Sequence, residues 1–62
     1  MNEKQELKND LAELRIRIDS FYIKANSLTT DQYTREEIQR AVYALNNGLA
    51  CAHFIATNIL GA

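Results

Sequence analysis

Asn26-Ser27-Leu28-Thr29-Thr30-Asp31 is the one polar break in a chain that otherwise reads as helix. Short polar side chains of this kind hydrogen-bond to neighbouring backbone and favour turns and caps over helix interiors. The chain has no proline, and its glycines are Gly48 and Gly61 alone, so little else obliges a helix to stop. Before the break, Leu7, Leu11, Leu14, Ile18, Phe21 and Ala25 recur at alternating spacings of four and three, an a/d seam set among charged residues. After it, Ile38, Val42, Leu45, Leu49, Ala52, Ala56 and Ile59 repeat the pattern. The spacing predicts a helix from about residue 3 to about 25, a turn over about 26–33 and a second helix from about 34 to about 60. Ser27, Thr30 and Thr34 are the candidate N-caps, Thr34 forming a capping box with Glu37, and Gly61 is a natural stop. Helices of matched length joined by a short turn fold back antiparallel. The expected fold class is therefore all-α, a single antiparallel two-helix hairpin over residues 1–62.

A chain of 62 residues has a marginal core and usually adds a disulfide, a metal or an oligomer interface. The single cysteine, Cys51, excludes an intramolecular disulfide. His53 stands two positions from Cys51, on a different helix face, and no other His or Cys completes a tetrahedral site, so neither a metal nor a cofactor is expected. Oligomerisation remains. Ala41, Ala44, Gly48, Cys51 and Ile55 form a second stripe of mostly small residues, and Phe54 extends the apolar surface. All charged residues lie at or before Arg40, and from Gly48 to Leu60 the second helix is apolar nearly all round. Such a helix is buried on all sides, whereas one hairpin partner covers one side. Ala41, Ala44, Gly48, Cys51, Phe54 and Ile55 are the expected interface of a homo-oligomeric helical bundle. The net charge of −1 argues against a general binder of long nucleic acid. The polar first ten residues and the absence of a long apolar run point to a soluble, cytoplasmic protein that does not enter membranes.

No catalytic constellation is legible. Ser27 and Asp31 belong to the turn, and His53 lies roughly 30 Å further along the second helix by its rise. Glu36 and Glu37 suit the positive end of a helix dipole. The expectation is a protein that is not an enzyme. The cluster with the most chemistry surrounds the turn: Tyr22, Lys24, Thr30, Tyr33 and Arg35 supply aromatic faces, cations and a hydroxyl. A base stacks on such rings, a cation holds a phosphate and a hydroxyl fixes a sugar. The competing reading is a solvated turn with aromatic packing over the hairpin end. For Arg15 and Arg17 the ordinary reading is solvation with i,i+4 pairing, Arg15 to Asp19. Asn46, Asn47, Asn58 and His53 are candidates for fixing register across an oligomer axis.

Leu45-Asn46-Asn47-Gly48-Leu49-Ala50 resembles the Leu-Gln-Gln-Gly-Phe-Met stretch of the phage anti-CBASS and anti-Thoeris helical hairpin family, the cyclic-nucleotide sponge proteins. Arg15-Ile16-Arg17 is similar to that family's Arg-Ile-Lys. Val42-Tyr43-Ala44 stands where the family carries Arg-Thr-His, so of its site residues only Arg17 carries over by position. The resemblance implies small hairpins that assemble into oligomers and sequester cyclic oligonucleotide signals between protomers without cleaving them. It implies an anti-defence protein acting in the cytoplasm of a bacterial host cell. Arg17, from the resemblance, joins Tyr22, Lys24, Thr30, Tyr33 and Arg35, from the turn, as ligand-binding candidates. The alternative is a small homo-oligomeric adaptor or inhibitor whose partner is a protein, in preference to RNA.

Overall fold

The computed structural model describes residues 2–62. It is all-helical: α1 spans Glu3–Ser27, α2 spans Gln32–Phe54, and a π-helical turn over Ile55–Ile59 ends the second arm. The Asn2 side-chain oxygen caps α1 by accepting from the Gln5 backbone N–H at 3.1 Å. Leu28–Asp31 joins the helices, a connection shorter than the one the sequence predicts. The arms run antiparallel, so that Gly61 at the end of the chain lies beside Lys4 near its start.

The N-cap of α2 is Asp31, not Ser27, Thr30 or Thr34. Its backbone is extended at φ −98°, ψ 128°, and its Oδ2 accepts from the Thr34 N–H at 2.7 Å and from the Thr34 hydroxyl at 2.8 Å. The carboxylate accepts charge-assisted hydrogen bonds at this position and complements the helix dipole. Thr34 becomes its donor from inside the helix, so the expected capping box does not form, and Glu37 pairs with Arg40 at 3.2 Å. The Thr34 hydroxyl and then its backbone N–H hold the Asp31 carboxyl below its ordinary value of 3.8. A carboxyl lowered in the folded state contributes stability that is present above its unfolded pKa and is lost as pH falls through its folded one. Acid titration of the wild type below about pH 4 should therefore show a stability loss that Asp31→Asn, which keeps an accepting oxygen, reduces. Asp31→Ala should lower the melting temperature at neutral pH.

The interior is small. Leu11, Leu49 and Ala56 are the buried residues, at 5, 9 and 3% exposure, with Leu7, Ile18, Ala52 and Ala62 packed against them. All but Ala62 belong to the predicted seams. Leu14 and Leu45, also seam positions, are 48% exposed. A heptad pattern drifts about 20° per repeat on a straight helix, so alternate seam residues slip to one side of the contact line. Ile59, the last expected seam residue, is 67% exposed. The π turn is the reason: Leu60 N–H bonds to Ile55 O at 2.9 Å, and the wider winding carries Ile59 off the seam. Gly61 at φ 73° then closes the end, with Ala62 N–H on Ala56 O at 2.7 Å.

The hairpin is a plank. Its Cα extents are 46 × 19 × 7 Å, the depth of a single layer, whereas stable domains pack two or more. Its radius of gyration of 14.5 Å exceeds the about 11 Å of a compact chain of this length. No helix among the described residues is long and apolar enough to cross a membrane.

Candidate functional site

Two concave surfaces lie on opposite sides of the plank, with Leu49 between them. At 100° per residue, Leu14 and Ile18 of α1 and Ala41, Ala44, Leu45, Gly48 and Ala52 of α2 fall on one side of the contact line. Together with Leu49 they line a groove of about 610 Å³ that contains no charged residue. Three of the six expected interface residues, Ala41, Ala44 and Gly48, are in it. Cys51 and Ile55 continue the same stripe toward the chain end and are exposed. Phe54 is exposed too, but six residues after Gly48 it sits about 120° around the helix, outside that stripe. A Cβ added at Gly48 meets nothing within 4 Å, so the groove floor there is open backbone.

On the other side, Arg15 and Asp19 of α1 face Asn46, Ala50 and His53 of α2 across a cleft of about 280 Å³ walled by Leu49. Sequence spacing places His53 far from the turn; antiparallel packing places it opposite Arg15. Arg15 and Asp19 do not form the expected i,i+4 pair: the ion pairs among the described residues are Arg17–Glu13 at 2.6 Å and Arg40–Glu37.

Of the turn cluster, Arg35 is occupied with the turn itself, as are the neighbouring Ser27 and Thr29. Arg35 Nη2 donates to Thr29 O at 3.3 Å, the Ser27 hydroxyl to Lys24 O at 2.7 Å, and the Asp31 N–H to the Thr29 hydroxyl at 3.3 Å. Tyr22 is half-buried, because on a straight helix it faces inward where the heptad pattern selects Phe21. Lys24, Thr30 and Tyr33 are exposed, and none of them lines either concavity. Arg17 lies about 10 Å along α1 from Lys24 by helical rise. It lines a separate hollow with Asp10, Glu13 and Leu14. The structure therefore brings Lys24, Thr30, Tyr33 and Arg35 to one end of the hairpin and leaves Arg17 apart. No group of three His, Cys, Asp or Glu able to hold a metal ion occurs among the described residues.

No protein-family model, no curated protein and no solved structure matches this chain.

Proposed function

We propose that the protein is a non-catalytic, homo-oligomeric binding protein that sequesters a cyclic nucleotide-type signal. What supports the oligomer is the uncovered apolar side of a one-layer hairpin. The chain exposes 5009 Å². A compact monomer of its mass exposes about 4100 Å², and the excess slightly exceeds the about 800 Å² that each partner gives to a standard interface. A second copy is the natural cover. Its own Ala41, Ala44 and Gly48 let two α2 helices approach closely, and the uncharged groove offers a charged partner nothing to pair with.

The sequestering role rests on the resemblance of Leu45–Ala50 and Arg15–Arg17 to the phage sponge family, and on cations and aromatic rings that several copies would present together. In this reading the phosphates are held by Arg and Lys, the bases stack on Tyr22 or Tyr33, and inhibition of a host defence scales with protein concentration because nothing is turned over. The site of action is the host cytoplasm.

Isothermal titration with cyclic di- and trinucleotides and cyclic ADP-ribose isomers tests the reading. Saturable binding of one of them at a whole-number ratio per oligomer is expected, and no binding across the panel contradicts it. Tyr33→Ala and Arg35→Ala should each weaken that binding about tenfold or more, the scale of one lost stacking or charge-assisted contact. If both bind normally while the oligomer persists, the turn cluster is not the site.

A further inference from the structure

We infer that the cleft between Arg15, Asp19, Asn46 and His53 is a ligand site of its own, one that takes a phosphorylated nucleoside unit. The inference rests on the proposed ligand class and adds a second site away from the turn. Four polar side chains from both helices converge there, and among the described residues none of them makes a hydrogen bond or ion pair. Arg17, Arg35 and Arg40, by contrast, each bond to a carboxylate or a carbonyl. Arg15 is thus the one arginine among the described residues with its guanidinium donors free.

The donor set selects the chemistry. The planar guanidinium of Arg15 suits a phosphate, with the His53 ring beside it as a further donor. Asp19 accepts only, so it repels a bare phosphate and favours a ligand that also carries N–H donors, as the edge of a base does. Asn46 both donates and accepts, and Leu49 with Ala50 gives an apolar wall for the ring. The volume of about 280 Å³ lies just below the usual range of small-molecule sites, so it fits at most one nucleotide unit rather than a whole cyclic oligonucleotide. The cleft also lies opposite the apolar groove, so a second copy seated on the groove leaves it open to solvent.

Backbone amide shifts of the isotopically labelled oligomer, titrated with AMP, GMP, inorganic phosphate and cyclic dinucleotides, test this site. The expected result is perturbation centred on Arg15, Asn46, Leu49 and His53 by a nucleotide and much less by inorganic phosphate. Arg15→Ala, an exposed change to a good helix former, should weaken nucleotide binding at least tenfold with the oligomer intact. Asp19→Asn should narrow the preference for nucleotide over phosphate. Perturbation confined to Tyr22–Arg35, with Arg15→Ala binding normally, would overturn the cleft and leave the sequestering function standing. No perturbation by any of these nucleotides would overturn the cleft, and binding of cyclic trinucleotides or cyclic ADP-ribose isomers then decides the sequestering function separately.

Discussion

Ala44→Glu and Gly48→Glu should each convert a discrete oligomer into a monomer and remove most of its helical circular dichroism signal. Neither change disturbs an isolated hairpin. Ala44 is exposed, and a side chain at Gly48 meets open space. Replacing a mid-helix glycine by glutamate should even favour the helix by about 0.5–1 kcal/mol. In an oligomer closed over the groove, the same carboxylate is buried without a partner, since no charged residue lines that surface. A lone buried charge costs several kcal/mol, more than the interface of a small protein can absorb. For Gly48→Glu the sign therefore separates the two states: a folded monomer is stabilised, an oligomer is broken. Gly48→Ala refines the test, because a methyl group helps a free helix and obstructs a close helix–helix contact. Sedimentation velocity for mass and circular dichroism for helix content, at matched concentration, read both effects.

Leu49→Ala should abolish cooperative folding or lower the melting temperature by tens of degrees. Among the described residues Leu49 is one of three buried side chains and the one of them that borders both the groove and the cleft. Truncating a buried leucine costs about 2–5 kcal/mol. A chain of 62 residues has about 3–9 kcal/mol in all. The conservative Leu49→Met should cost less than about 1.5 kcal/mol. Melts belong at fixed protein concentration, because the stability of an oligomer depends on it. A Leu49→Ala protein that melts like the wild type would show that the contact between α1 and α2 is not what holds the chain together.

The two helices, their direction and the identity of the core were legible in spacing alone. Leu11, Leu49 and Ala56 stand on the predicted seams because a heptad stripe marks the face that packs, whatever the details of packing. Side-chain detail was less legible. Asp31 took the cap from three hydroxyl candidates because the choice depends on which residue leaves the helical backbone, a geometric event that composition does not rank. The π turn, invisible in an apolar run with no proline, moved Ile59 out of the seam. Leu14 and Leu45 slipped to the rim because straight helices do not keep a strict seven-residue repeat in contact. The turn cluster was legible as a group of side chains, but not the fact that Ser27, Thr29, Thr34 and Arg35 spend their polar groups on the turn. The placement of Arg15 opposite His53 across the cleft depends on the register of one arm against the other, and a one-dimensional spacing does not contain it.

In the proposed homo-oligomer, copies of the chain complete the single-layer hairpin across the Ala41–Ala44–Gly48 face. Native mass spectrometry of the wild-type chain, paired with thermal melts over a hundredfold range of concentration, tests it most directly. The predicted result is one discrete oligomer whose melting temperature rises with concentration. A helical monomer with a cooperative melt independent of concentration would contradict it.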